Sequence, residues 1–311
     1  MTENTPTVGW IGAGRMGFQL AKRLLDAGYP VAVYNRTRGK AEPLTEFGAT
    51  IVDRPVDLAD RDIVFSMVSA SQDLENVMLG PDGLLADPAR APRIIGDAST
   101  VSVEASETVR AAAEARGIGF LATPVSGNPK VISVGKLTVA ASGPRDAYDE
   151  IEPLLQTWGR GVTYVGEAEV ARIVKIAHNV FLGVVIQSLA EITVLAEKAG
   201  VTREAFLAFL NDSVMGSVFT QYKTPALVNL DFTPTFTNVL LQKDFDLGLA
   251  AAKSLGVVMP LASATRNLVA QEVGNGNIDQ DFASLIVTIA RGSGLEIVSE
   301  EAAVGDGLGE A

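Results

Sequence analysis

Thr7-Val8-Gly9-Trp10-Ile11-Gly12-Ala13-Gly14-Arg15-Met16-Gly17 is the stretch on which the reading of this chain turns. Its first five residues make a short apolar strand that runs straight into Gly-x-Gly-x-x-Gly. Residues 18–27 then read as a helix, Gly28-Tyr29-Pro30 breaks it, and Val31-Ala32-Val33-Tyr34 is a second strand. Strand, glycine motif, helix and strand within about 30 residues is the arrangement that holds a dinucleotide. Gly12 serves the tight turn, Gly14 lets the backbone approach a pyrophosphate, and Gly17 lets helix and strand pack closely. Ala13, Arg15 and Met16 complete the loop and the helix start, whose N–H groups and positive dipole end face phosphates. The alternative is a glycine-rich turn that binds nothing.

The second strand ends in Asn35-Arg36-Thr37. An NAD site usually carries Asp or Glu there, accepting hydrogen bonds from the ribose 2′-hydroxyl. Asn35 is neutral, and a guanidinium such as Arg36 pairs with a 2′-phosphate through two hydrogen bonds. Thr37 adds a hydroxyl, and Lys40 adds charge one turn on. The expected cofactor is NADP(H) in preference to NAD(H).

Composition narrows the rest. At 311 residues and 47% hydrophobic, the chain can build two packed cores. A net charge of −12 argues against a nucleic-acid partner, which needs a basic footprint. No cysteine means no disulfide or thiolate chemistry, and a single histidine, His178, leaves too few ligands for a metal site. No uninterrupted apolar run approaches the roughly 20 residues of a membrane span. The start of the chain is polar, unlike a signal peptide. A cytoplasmic protein without a membrane partner is expected.

Further short apolar strands are expected at 62–68, 93–97, 119–123, 137–141 and 162–165. Alternation with helical segments implies a mostly parallel sheet covered on both faces. Ligands bind outside the carboxyl ends of such strands, which makes Met67, Val68, Thr100 and Ser126 contact candidates. After Gly166 the pattern becomes helical. Residues 169–198 form one long helix that is apolar around most of its circumference, which implies burial on most sides. Helices are expected at 203–211, 220–228, 240–255, 260–273 and 282–290. The division is therefore an α/β domain at 1–166 and an all-helical domain at 167–298, joined by the long helix. Residues 299–311, acidic and glycine-rich, read as a disordered tail.

Two groups could do chemistry. Lys175 and Asn179 are four apart and share one face of the long helix. Apolar neighbours desolvate an ammonium and lower its pKa, so Lys175 could exchange a proton with an alcohol or carbonyl oxygen. Alone, such a residue is more often a snorkelling surface lysine, and Arg172 fits that solvated description. His178 points in a different direction and reads as a packing or supporting residue. Ser126-Gly127-Asn128-Pro129 follows a strand; it could bind an oxyanion or simply make a turn.

Taken together, these motifs resemble the β-hydroxyacid dehydrogenase family of 3-hydroxyisobutyrate dehydrogenases and of tartronate semialdehyde and glyoxylate/succinic semialdehyde reductases. The resemblance covers nearly the whole chain. It rests on the Gly12–Gly17 fingerprint, Pro124-Val125-Ser126-Gly127, Gly135-Lys136-Leu137-Thr138, Lys175 with Asn179, and Lys243-Asp244. It implies a Rossmann domain, a long connecting helix and an all-α C-terminal domain, with a homodimer or homotetramer formed through the helices. It implies Lys175 as acid/base and Ser126 and Gly127 as the holders of a substrate carboxylate. Asn179 would orient the reacting oxygen or Lys175. Thr100, Met67 and Val68 would line the nicotinamide side, and Lys243 would stand at the cofactor end of the cleft. Where many members carry a second glycine this chain has Asn128, which would alter the pocket or add a donor. Met215-Gly216-Ser217 and Phe236 are further lining candidates.

The expected activity is thus interconversion of a small carboxylate-bearing aldehyde or keto acid and its hydroxy acid. Imine reductases share the fold but usually have Asp or Tyr at the position of Lys175. A non-catalytic scaffold, also known in the family, lacks that lysine.

Overall fold

The computed structural model describes residues 5–309. Residues 1–4 and 310–311, which include part of the polar start and the last two residues of the expected tail, lie outside the described residues. Two compact units meet inside the long helix: one ends at Lys175 and the other starts at Ile176.

The first unit is a nine-stranded sheet. Its elements begin β1 (Val8–Ile11), α1 (Arg15–Asp26), β2 (Val31–Tyr34), β3 (Thr50–Ile51), β4 (Ile63–Ser66), α2 (Ser71–Leu79), β5 (Ile94–Asp97), α3 (Val103–Glu114) and β6 (Gly119–Ala122). They continue with β7 (Val125–Ser126), α4 (Pro129–Ser133), β8 (Leu137–Ser142), α5 (Arg145–Gln156), β9 (Gly159–Gly166) and α6 (Val170–Lys198), whose start belongs to this unit.

The order β3-β2-β1-β4-β5-β6 is parallel throughout. That is the doubly wound Rossmann order, whose direction of winding reverses between β1 and β4. Alternate residues face opposite layers: Val8 and Trp10 join one core, Ile11 and Val64 the other. Burial on both faces explains why these strands read as continuous apolar runs. Trp10, Phe65 and Trp158 fill the first core, with Trp158 edge-on to both partners at centroid distances of 5.8 and 5.0 Å.

Beyond β6 the sheet departs from the parallel expectation. β8 runs antiparallel to β6 and β7, and β9 pairs parallel to β8. The two-residue strands β3 and β7 are too short to carry a readable alternation.

The second unit continues α6 and adds α7 (Arg203–Asp212), α8 (Val218–Asn229), α9 (Asn238–Leu255), α10 (Pro260–Gly274) and α11 (Leu285–Gly292). α6 and α9 cross closely. A Cβ on Gly183 would stand 2.5 Å from the Phe245 ring, and one on Gly248 would stand 2.3 Å from Val180. Asp281 folds the loop before α9: it accepts from the Thr235 N–H at 2.9 Å and from buried Lys223 Nζ at 2.6 Å.

Two expectations need correction here, on α6 and on the end of the chain. α6 is long and apolar enough by length and composition to cross a membrane, contrary to the estimate from uninterrupted apolar runs; half of its most apolar window is buried within the structure. The two units divide within α6, at Lys175/Ile176, nine residues past the expected change of pattern at 166/167, and the first turns of α6 are bonded to the sheet unit. There the Ala171 N–H donates to Ser142 Oγ at 3.0 Å. Residues 299–309 do not form a loose tail. Glu300 accepts from the Arg203 and Glu204 N–H groups at 2.7 and 2.9 Å. Asn229 exchanges two hydrogen bonds with the Ala302 backbone at 2.9 and 3.0 Å, and Leu308 is buried. The acidic composition is used locally, with carboxylates meeting backbone donors.

Candidate active site

The glycine loop is built by contacts only glycine permits. Gly12 has φ +99°, and a Cβ there would lie 2.2 Å from the Met67 carbonyl oxygen on the neighbouring strand end. A Cβ on Gly17 would lie 2.0 Å from the Gly12 carbonyl oxygen. Trp10 Nε1 donates to that same oxygen at 2.8 Å, fixing the turn from beneath. Gly14 differs: a Cβ would meet no protein atom within 4 Å. It is the N-cap of α1, which has no side-chain cap. An open, uncapped helix start in front of a glycine is the geometry a phosphate fills, so the loop fits a dinucleotide.

A cleft of about 390 Å³ opens above this loop. Gly12, Gly14, Asn35, Arg36, Thr37, Met67 and Val68 line it, together with Lys40. These residues come from the ends of β1, β2 and β4, where the sheet order reverses. Ala13, Arg15, Met16 and Thr100 are not among the lining residues. The Ala13 N–H is engaged internally, donating to Asn35 Oδ1 at 2.8 Å. Asn35 Nδ2 in turn donates to the Thr37 carbonyl at 2.8 Å. The neutral residue at the end of β2 thus organises the loop, a role that spacing alone does not reveal.

Asp73 was not anticipated. It reaches the same cleft from α2 and pairs with Arg36 at 2.9 Å. Arg36 remains 82% exposed, so the pairing leaves most of its guanidinium open to solvent. The turn at 80–83 also lines the cleft. Asp73 has no sequence signal; Gly80-Pro81-Asp82-Gly83 is a turn pattern, but nothing in it shows that the turn borders the cleft.

Ser126 ends β7, half-buried, and Gly127 follows with φ +146° and exposed. Asn128 caps α4: its Oδ1 accepts from the Val131 N–H at 3.0 Å, and the side chain is buried. The pattern Asn-Pro is itself a helix-start signal. Lys175 is half-buried on α6. Arg172, one turn before it, is not a solvated residue but is 1% exposed and ion-paired to Asp97 at 2.6 Å.

In the second unit, Asn179 is buried. Its Nδ2 donates to Asp244 Oδ2 at 2.5 Å, and its Oδ1 lies 2.9 Å from His178 Nδ1. His178 therefore supports Asn179. Lys243 Nζ is 3.3 Å from Asp244 Oδ1. Ser217 caps α8, accepting from the Thr220 N–H at 3.1 Å, and Phe236 packs edge-on against Phe282. Met215 is exposed. Among the described residues no cluster of metal-ligating side chains occurs.

A family model described as the NAD binding domain of 6-phosphogluconate dehydrogenase matches residues 7–166. A second, described as NAD-binding of NADP-dependent 3-hydroxyisobutyrate dehydrogenase, matches residues 170–289. The uncharacterized oxidoreductase YfjR of Bacillus subtilis is 35% identical over 90% of this chain and 98% of its own length. Glyoxylate/succinic semialdehyde reductase 2 of Arabidopsis thaliana is 28% identical over 91% of this chain and 79% of its own. The structure of Mycobacterium tuberculosis 3-hydroxyisobutyrate dehydrogenase with L-serine superposes with a TM-score of 0.80 at 25% identity, covering 92% of this chain and 99% of that one. An imine reductase from Pseudomonas sp. shares the fold at a TM-score of 0.62 and 23% identity, over 91% of this chain and 98% of that one. With its Rossmann sheet, glycine cradle and helical second unit, the chain belongs to the β-hydroxyacid dehydrogenase family, and it is an NAD(P)-dependent oxidoreductase acting on a CH–OH group.

Proposed function

We propose that the protein is an NADP(H)-dependent dehydrogenase or reductase that interconverts a small carboxylate-bearing aldehyde or keto acid and its hydroxy acid. The observation that carries the cofactor choice is the end of β2. Arg36, Thr37 and Lys40 line the cleft where an NAD site has a carboxylate, and Asn35 is consumed in holding the loop. A 2′-phosphate there meets cationic side chains, with the guanidinium able to pair bidentately.

A nicotinamide held in this cleft would supply the hydride to the carbonyl carbon, or take it up in the reverse direction. Lys175 gives a proton to the carbonyl oxygen in reduction and takes it back in oxidation, the work of a general acid/base. Ser126 and Gly127 hold the substrate carboxylate through hydroxyl and backbone N–H. Asn179, one helical turn after Lys175, orients the lysine or the reacting oxygen. Family resemblance alone gives Lys243 a role with the cofactor; in this structure its ammonium lies 3.3 Å from Asp244 Oδ1.

The same reading includes self-association through the helical unit. Phe181 and Leu195, two heptads apart on α6, are exposed, and so is Ile192 between them. A single sedimentation run at micromolar concentration distinguishes the expected dimer or tetramer from a monomer.

The test of the activity is a panel of short aldehydes bearing a carboxylate or sulfonate, and cyclic imines, each with NADPH and with NADH. Turnover of an anionic aldehyde with NADPH, lowered about 10²- to 10⁴-fold by Lys175→Ala while cofactor still binds, supports the reading. Turnover of imines alone, or an unimpaired Lys175→Ala variant, overturns it.

A further inference from the structure

A buried cluster of charges lies at the carboxyl end of the sheet, beneath the cleft. Asp97 ends β5 and is 0% exposed. Its Oδ1 accepts from Ser66 Oγ at 2.5 Å and from Ser99 Oγ at 2.7 Å, tying the ends of β4 and β5 together. Its Oδ2 accepts from Arg172 Nη2 at 2.6 Å. Arg172 Nη1 donates to the Ser99 carbonyl at 2.6 Å, and its Nε donates to Ser106 Oγ on α3 at 3.1 Å. Ser99 Oγ also accepts from the Val68 N–H at 2.8 Å, and Val68 lines the cofactor cleft. One set of hydrogen bonds therefore runs from the cleft wall, through Ser99 and Asp97, to the first turn of α6. Lys175 follows Arg172 by three residues, about one helical turn.

Stability is a poor explanation for this arrangement. Removing two charges from water is costly, and well-packed apolar residues often serve as well or better. What a guanidinium supplies that apolar packing does not is direction. Its planar fork is bound here on three nitrogens to three acceptors, so α6 is fixed in both rotation and rise against the strand ends. The Glu169 carboxylate, 3.6 Å from Arg172 Nε and paired with Arg110 Nε at 2.5 Å, anchors the same turn from the α3 side. Misplacing a reacting group by about 1 Å can cost about 10²-fold in rate, so a proton donor on a helix benefits from such a lock.

We propose that Arg172 and Asp97 are positioning residues for the reaction: their buried pair sets the height and rotation of the helix turn that carries Lys175 relative to the cofactor cleft. The proposal rests on Lys175 as the acid/base. It assigns no contact with substrate to either residue.

The experiment is a pair of mutant cycles on the full-length protein, with the aldehyde and NADPH that give turnover. Arg172→Lys keeps the charge and loses the fork, and Asp97→Asn keeps the shape and loses the charge. Thermal melting and NADPH binding are measured on each variant. In the Lys175 background, Arg172→Lys lowers kcat about 10- to 100-fold with KM and the NADPH dissociation constant held within about twofold. In the Lys175→Ala background the same change leaves the residual rate unaltered, because the lock then has no proton donor to place. The double variant Arg172→Lys/Asp97→Asn is no slower than the slower single variant, since both act through one contact. A folded Arg172→Lys variant with unchanged kcat overturns the proposal, as does an equal loss in both Lys175 backgrounds. Should both variants fail to fold, Ser106→Ala removes the acceptor of Arg172 Nε and loosens the fork at an uncharged hydroxyl, and unchanged kcat in that variant overturns it equally. A fully active Lys175→Ala variant sinks the acid/base reading itself, and so is distinguishable from failure of the lock.

Discussion

The Asn35 side chain joins the two halves of the cofactor cradle: Oδ1 accepts from the Ala13 N–H at 2.8 Å, and Nδ2 donates to the Thr37 carbonyl at 2.8 Å. The glycine loop and the turn bearing Arg36 are thereby held by one amide. Each hydrogen bond contributes about 0.5–1.5 kcal/mol net, and losing both loosens both segments. Asn35→Ala is expected to raise KM for NADPH and for NADH alike, by about tenfold. Initial rates with each cofactor check this; an effect confined to NADPH would instead place Asn35 at the 2′-phosphate.

Arg36→Ala should separate the cofactors. Charge-assisted hydrogen bonds contribute about 1.5–3 kcal/mol, so the NADPH KM should rise about 10- to 100-fold while the NADH KM changes little. Its ion pair with Asp73 has an 82% exposed guanidinium and adds little to stability, so the melting temperature should stay put. Equal effects on both cofactors would contradict the 2′-phosphate assignment.

Gly14 and Gly17 offer a contrast within one loop. A Cβ on Gly17 meets the Gly12 carbonyl oxygen at 2.0 Å, whereas one on Gly14 meets nothing within 4 Å. Gly17→Ala should therefore lower the melting temperature and cofactor affinity together. Gly14→Ala should leave melting unchanged and weaken only the cofactor, because the added methyl enters the space for the pyrophosphate. Calorimetry beside cofactor titration reads both.

Glu300 caps α7 from 96 residues away, accepting from the N–H groups of Arg203 and Glu204. Glu300→Ala should destabilise the protein by about 0.5–2 kcal/mol, visible in urea titration, with cofactor affinity of the folded protein unchanged.

Asp62 is held below the usual carboxylate range by hydrogen bonds from the Thr7 hydroxyl and N–H, with Arg93 contributing, against a small opposing effect of burial. A carboxylate whose folded pKa lies below its unfolded value stabilises the fold above that unfolded value, and the contribution is lost as pH falls through the folded one. The melting difference between the wild type and Asp62→Asn should thus be present at neutral pH and shrink as pH drops below the ordinary value of 3.8. A gap that stays constant from neutral pH into that range would contradict this.

Much of this was legible from local sequence. β2 at Val31–Tyr34 and the long helix ending at Lys198 match their expected positions, and five further strands lie within a few residues of theirs. Apolar runs and glycine breaks are properties of adjacent residues, so they survive without knowledge of the fold. The cleft's Gly12, Gly14, Arg36, Thr37, Met67 and Val68 follow from the same rule, since each stands just after a strand or within the glycine loop.

What the chain by itself determined is the dinucleotide unit, the change from α/β to all-helical structure, and the family. Those depend on spacing along the backbone and on glycines whose need is set within a few residues. Only tertiary structure decided what each polar group does. Arg172 reads as a solvated residue until Asp97, 75 positions earlier, is placed 2.6 Å from it. The acidic end reads as loose until Arg203 and Glu204 offer it their N–H groups. Burial and hydrogen-bond partners are set by residues distant in the chain, and the free energy of a charge depends on them far more than on its neighbours in sequence.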